Sequence, residues 1–266
     1  MDETNEQPDE RARPPALTPV DEAMLARAHA LMQIVEAGLR DVSERYRDDD
    51  HGRVLRDALF MQGLVDDLVN KAVIAERERG ASWTAIGNAA DISRQSAHER
   101  WNTKVAAWVL MGRQRSGIGR GEADPVRHAQ YLGEWLDALV GKGRDAVSRL
   151  LPSLYDGAAR QEANDRRAEV KRLRERTEEL RRECDAAYTA VMEAAGTEAA
   201  EEKQAVWAAR HFARAEAFER LAVIEEPAAV EHRRTAATLR SIAEDILRRD
   251  GLDSETPATT QKGALQ

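Results

Sequence analysis

The stretch Gly80-Ala-Ser-Trp-Thr-Ala-Ile-Gly-Asn-Ala-Ala-Asp-Ile-Ser-Arg-Gln-Ser-Ala-His-Glu-Arg-Trp101 decides how the chain is read. Ser82 stands where an N-cap would open a helix over Trp83 to Ala90, its hydroxyl free to accept from a first-turn amide. Trp83, Ile86, Gly87 and Ala90 fall on the inner face of that helix, with Gly87 where a second helix crosses closely. Asp91 occupies a turn whose backbone goes left-handed, a conformation that Asp tolerates at some cost. Ile92 then plugs the space between the helices. Ser93 caps a second helix, running from Arg94 through Trp101 and on to Met111.

In the second helix, Ala97, Trp101 and Trp108 recur at helical spacing on one face. The other face shows Gln95, His98, Glu99 and Asn102, flanked by Arg94 and Ser96. A small buried residue behind a polar outward face suits a helix laid in the major groove of DNA. Gln can bond adenine in a bidentate manner, Arg can do so with guanine, and Ser or His can take single bonds. The residues expected to touch DNA are Ser93, Arg94, Gln95, Ser96, His98 and Asn102, with Arg113 and Arg115 as phosphate or minor-groove contacts. The competing reading is a tight helical hairpin in a bundle, with no nucleic-acid role.

The wording Ser82-Trp83, Ile86-Gly87, Ser93-Arg94-Gln95, Ala97-His98 and Arg100-Trp101 resembles the helix-turn-helix of bacterial, particularly actinobacterial, DNA-binding regulators. The resemblance covers about residues 80–101 and implies that Ser93 to Glu99 face the groove. The position that is usually glycine in the turn is Asp91 here.

Charge is consistent with a local DNA site. The chain is acidic, with a formal charge of -8 over 266 residues, which argues against coating nucleic acid along its whole surface. Between Lys71 and Arg120, however, nine cations face four acids, an excess of five positive charges. Surface charge further away than about 8 Å is screened at physiological ionic strength.

Outward from this motif the chain reads as helices throughout. Aromatic residues are 5% and strand-like alternation is absent, so the expected class is all-α. Residues 1–17 are expected as a disordered tail and 18–111 as a helical DNA-binding domain. Within it, Thr18-Pro19 opens a helix to about Tyr46, and a second starts near Gly52 and ends at Gly80. Residues 112–123, with Arg113, Arg115 and Arg120 among glycines, form a basic linker and the expected domain boundary.

Residues 124–251 are expected as a helical or coiled-coil oligomerisation domain, and 252–266 as a second disordered tail. Gly141 and Gly143 interrupt its first helix. Val170, Leu173, Thr177, Leu180, Cys184, Ala187 and Val191 form a heptad seam over residues 158–195. The seam's weak members allow either a coiled coil between chains or an antiparallel hairpin within one. Gly196 breaks this helix, another ends before Pro227, and Gly251 caps the last.

The single cysteine, Cys184, rules out an internal disulfide and a cysteine-based zinc site. The histidines do not cluster at metal-ligand spacing, and no catalytic constellation is present, so no enzyme activity, metal or cofactor is expected. No signal-like start is visible and no apolar run approaches the roughly 18 residues of a membrane span. The expectation is a cytoplasmic, nucleoid-associated protein that binds double-stranded DNA as a homodimer or higher oligomer. The alternatives are an oligomeric DNA-organising, segregation or packaging adaptor of a plasmid or phage, and a protein-interaction scaffold.

Overall fold

The computed structural model describes residues 16–43, 51–111, 125–141 and 143–253. Every regular element among these is helical: α1 Pro19–Ser43, α2 Arg53–Glu78, α3 Trp83–Ala89, α4 Arg94–Leu110, α5 Pro125–Val140, α6 Gly143–Leu150, α7 Gly157–Ala194, α8 Ala200–Ile224 and α9 Ala229–Asp253, with short 3-10 turns at Pro152–Leu154 and Glu226–Ala228. None of the described helices is long and apolar enough to cross a membrane.

The chain divides into two compact units, residues 1–167 and 168–266, so the division falls inside α7. The expected boundary at 112–123 is therefore displaced by more than forty residues. The reason is a shared core: Leu25, Ala28 and Met32 of α1 pack with Ala129 and Leu132 of α5, Val147 of α6, and Leu151 and Leu154 beyond it. α5 and α6 thus complete the first unit instead of opening a second. Residues 112–124 themselves lie outside the described residues, as does the expected end of the first helix near Tyr46.

The N-terminal boundary also moves. Ala16 and Leu17, expected in a disordered tail, are buried to 1% and 0% exposure. The Ala16 amide donates to Asn164 Oδ1 at 3.0 Å, which ties the segment to the first turns of α7. Thr18 caps α1 as expected, its hydroxyl accepting from the Asp21 amide. The buried Asp21 carboxylate in turn accepts from both the amide and the hydroxyl of Ser153. Glu22, also buried, pairs with Arg167. Two acids in the first turn of α1 complement its dipole while anchoring the turn to later segments.

α1 and α2 form an antiparallel hairpin, and α4 packs across the C-terminal half of α2 near the buried Val73 and Ile74. Between α1 and α5 the His29 and His128 rings lie 4.8 Å apart.

In the second unit, α8 and α9 pair closely because alanines recur at heptad spacing on both. Ala208, Ala215 and Ala222 of α8, and Ala229, Ala236 and Ala243 of α9, are all buried. Small side chains let two axes approach, while Trp207, Phe218, Leu239 and Ile246 fill the sides. The heptad seam of α7 is buried within the chain, with Leu173, Thr177, Leu180 and Cys184 all below a tenth exposed. Ion pairs Glu169–Arg220 and Glu183–Arg210, and the Tyr188–Trp207 contact, set α7 antiparallel to α8. Of the two arrangements that the heptads allow, the chain adopts the intramolecular one. The last helix passes through Gly251, expected as its cap, and ends at Asp253, inside the expected 252–266 tail. Residues 254–266 and 1–15 lie outside the described residues.

Candidate nucleic-acid interface

The α3–turn–α4 unit forms as its local sequence dictates. Ser82 Oγ accepts from the Ala85 amide at 3.1 Å, and Ser93 Oγ accepts from the Ser96 amide at 3.1 Å. Each helix therefore starts with one of its unpaired amides satisfied. Between them, Asp91 takes the left-handed conformation with φ 55°. The Ile92 amide folds back to the Gly87 carbonyl at 2.9 Å, and the Asp91 amide to Asn88 at 3.4 Å. This pattern of backward bonds around one left-handed residue ends a helix sharply and redirects the chain.

Gly87 is required by that geometry. A Cβ there would lie 2.8 Å from the Ile92 carbonyl oxygen and 3.2 Å from the Arg94 nitrogen. Those are backbone atoms and cannot swing away. Ala90, expected on the inner face, is exposed, because α3 has already ended at Ala89 and the chain is turning outward.

Behind the exposed face, α4 buries Ala97, Trp101, Val105, Trp108 and Val109. The Trp108 indole donates to Glu78 Oε1 at 3.1 Å, and the Lys71 ammonium sits 5.5 Å from the Trp108 ring. Burial lowers the Lys71 pKa, with Asp67 opposing. Lys104 donates to Asn70 Oδ1 at 2.9 Å, fixing α4 to α2 at its outer edge.

The expected reading residues separate into three groups. Arg94, Gln95 and Ser96 are exposed in the first turn of α4. Gln95 Nε2 donates to Glu99 Oε1 at 2.8 Å, so its amide is held parallel to the helix surface and must leave Glu99 to reach a base. Ser93 and Ser96 bring their hydroxyls to 2.9 Å of each other, and Ser93 is committed to the cap. His98 and Asn102 are half-buried and lie toward the packed side. His98 stands edge-on to Trp83, ring centroids 5.3 Å apart, and joins α4 to α3. Arg113 and Arg115 lie outside the described residues.

The outward face instead contains Arg100 and Thr103, both exposed and in line with Ser96 and Glu99. Arg100 places its guanidinium 4.9 Å from the centre of the Trp101 ring, a cation–π contact. A helical wheel centred on Ala97 and Trp101 carries this signal: about 100° per residue puts Ser96, Glu99, Arg100 and Thr103 away from the buried side. His98 and Asn102 have the hydrogen-bonding groups of base readers, but that chemistry carries no information about which way they face.

Beside this face, α2, α3 and α4 enclose an open apolar groove of about 280 Å3, lined by Val69, Ala72, Val73, Ala85, Ala89 and Trp101 among others. No group of three or more His, Cys, Asp and Glu side chains among the described residues is placed to hold a metal ion. The chain matches no family model, no curated protein and no solved structure.

Proposed function

We propose that α3, the turn and α4 are a DNA-reading helix-turn-helix, and that the chain is a sequence-specific DNA-binding protein acting as a transcriptional regulator. The observation that carries this reading is the combination at one helix start. α4 presents Arg94, Gln95 and Ser96 to solvent from its first turn, on a helix whose tilt is set by the Gly87–Ile92 contact. A helix entering the major groove contacts base edges with its N-terminal residues, while the amides at that end favour phosphate. Arg100 and Thr103 continue the polar face along α4 and would hold the sugar-phosphate backbone.

The reading has a homodimer or higher oligomer engaging paired half-sites, so that the second contact gains affinity by linkage. Catalysis, a metal and a cofactor have no part in it.

The test is sequencing of genomic DNA bound by the full chain, beside an Arg94→Ala, Gln95→Ala double variant. The expected result is a small set of sharp sites that the variant loses. Loss of one good bidentate contact costs about 1–3 kcal/mol, so two should weaken specific sites by at least about 30-fold. Enrichment of native chain no better than background sinks the reading. A footprint spread over many adjacent repeats would replace the regulator by a DNA-organising adaptor.

A further inference from the structure

Glu99 is the acid of α4, in a helix whose other charges are Arg94, Arg100 and Lys104. It is exposed and lies between Gln95 and Thr103 on the outward face, in the second turn of the helix. Its Oε1 accepts from Gln95 Nε2 at 2.8 Å. Among the described residues no cation pairs with it, and Arg100, next in the chain, turns its guanidinium to the Trp101 ring.

A carboxylate at that place is unfavourable for a helix in the major groove unless something in the groove offsets it. The groove runs between two lines of phosphates, and charges nearer than about 8 Å are little screened at physiological ionic strength. Losing water there costs free energy until the carboxylate finds a donor. Gln95 sharpens that need. To reach a base its amide leaves Glu99, which then lacks the donor it has in the free chain.

The base edges offer few donors. Guanine presents N7 and O6 and thymine presents O4, all of them acceptors. Donors come only from the exocyclic amines, N4 of cytosine and N6 of adenine. Adenine sets its N7 acceptor beside the amine, where it faces the second oxygen of a carboxylate. Cytosine sets a C–H there. The cytosine amine is also a planar NH2 group, like the Gln95 carboxamide donor that Glu99 already accepts.

We infer that Glu99 is a specificity residue that selects cytosine, by exchange of partners: the Gln95 amide moves to a base edge, and a cytosine N4 amine takes its place on the carboxylate. Glu99 has this role only if α4 reads DNA as proposed above. The exchange leaves the carboxylate as well bonded as before, so the acid costs little against cytosine. Against thymine or guanine it meets acceptors and stays unpaired. Discrimination thus comes from repelling the wrong base as much as from holding the right one. Arg94, one turn earlier, supplies the opposite preference, a donor fork suited to guanine.

The test is selection of binding sites from a randomised duplex library by the full native chain and by Glu99→Ala and Glu99→Gln variants. The native motif should contain a cytosine whose preference over thymine falls about 5-fold or more in Glu99→Ala, with the other positions kept. Glu99→Gln should shift that position toward adenine, whose amine and N7 match a carboxamide. DNA without a site should be bound by Glu99→Ala at least as tightly as by the native chain, because a repelling charge is gone. A second measurement needs no variant: the native chain should bind a selected duplex more weakly, again by about 5-fold or more, when 2-pyrimidinone, which lacks the amine, replaces that cytosine. A native chain that selects no motif overturns the DNA reading and this inference together. A motif that Glu99→Ala selects unchanged overturns this inference alone, as does a duplex without the amine that binds equally well. Equal loss of affinity for all DNA in Glu99→Ala also overturns it, since the acid would then serve the fold of α4 and not the choice of base.

Discussion

A Cβ on Gly87 would stand 2.8 Å from the carbonyl oxygen of Ile92, inside contact distance of a backbone atom fixed by the turn. Gly87→Ala should therefore push α3 away from the start of α4, costing about 2 kcal/mol as other small-to-large changes do. Hydrogen exchange should show faster opening of the α3 and α4 amides, with the amides of α8 and α9 unaffected. Unchanged exchange in α3 and α4 would mean that the turn yields more easily than its bonds suggest.

Asp91 pays for its left-handed φ of 55°, and glycine would not. Asp91→Gly should stabilise the first unit, by about 0.5–1 kcal/mol at most, because the glycine also gains freedom in the unfolded chain. Calorimetry would register a small rise in melting temperature. A clear fall would show that the Asp91 side chain holds the turn by itself.

Arg100 and His98 should part company under mutation. Arg100→Ala removes an exposed cation from the outward face, so it should weaken DNA binding uniformly across sequences and reduce the salt dependence by about one phosphate contact. His98→Ala should leave the salt dependence alone and instead cost about 1 kcal/mol of stability, the value of its edge-on contact with Trp83. Titrations at several salt concentrations, beside thermal melts, separate the two. The reverse assignment would restore His98 as the reader.

The His29 ring, packed against His128, has its pKa held below the ordinary value by burial, with Lys71 adding to the shift and Glu36 and Asp67 opposing it. The folded state thus binds fewer protons at this site than the unfolded chain. Its contribution is present above the unfolded pKa of about 6.5 and is lost as pH falls through the folded value. Melting temperature should drop on acidification below about pH 6.5, and His29→Gln should flatten that part of the profile. An identical slope in the variant would assign the proton uptake elsewhere.

In the second unit, Glu225 is 1% exposed and accepts from Arg174 at 2.8 and 3.1 Å, with His232 Nε2 at 3.0 Å. Burial raises its pKa, but the His232 hydrogen bond and the Arg174 guanidinium outweigh burial and leave it below the usual carboxylate value. A depressed carboxylate stabilises above its unfolded pKa, near about 4.3, and that stability is lost as pH falls through the folded value. Glu225→Gln should destabilise α7–α8–α9 at neutral pH by about 2 kcal/mol, less than a sealed ion pair since Arg174 reaches solvent. The difference from the native chain should shrink in acid, as chemical denaturation at about pH 7 and about pH 4 would show.

What the sequence by itself determined is local. Thr18, Ser82 and Ser93 cap the helices that they precede, and Gly80, Gly196 and Pro227 stand at or just beyond helix ends, because caps and breakers act within a turn of the residues they govern. The Gly87–Asp91–Ser93 turn was legible for the same reason: every atom it needs lies within a dozen residues. Periodicity also marked the apolar side of α4 and the seam of α7. It does not name a partner, however, and there tertiary structure decided. The seam of α7 lies within the chain, since α8 supplies ion pairs at Arg210 and Arg220 in antiparallel register. Leu17 belongs to a core because α5 and α6 return to α1 from more than a hundred residues away, a contact for which no local pattern carries information. His98 turned inward because Trp83, from another helix, offers it a ring edge. A side chain's chemistry was written in the chain, but the direction it faces was set by what packs on the other side of its helix.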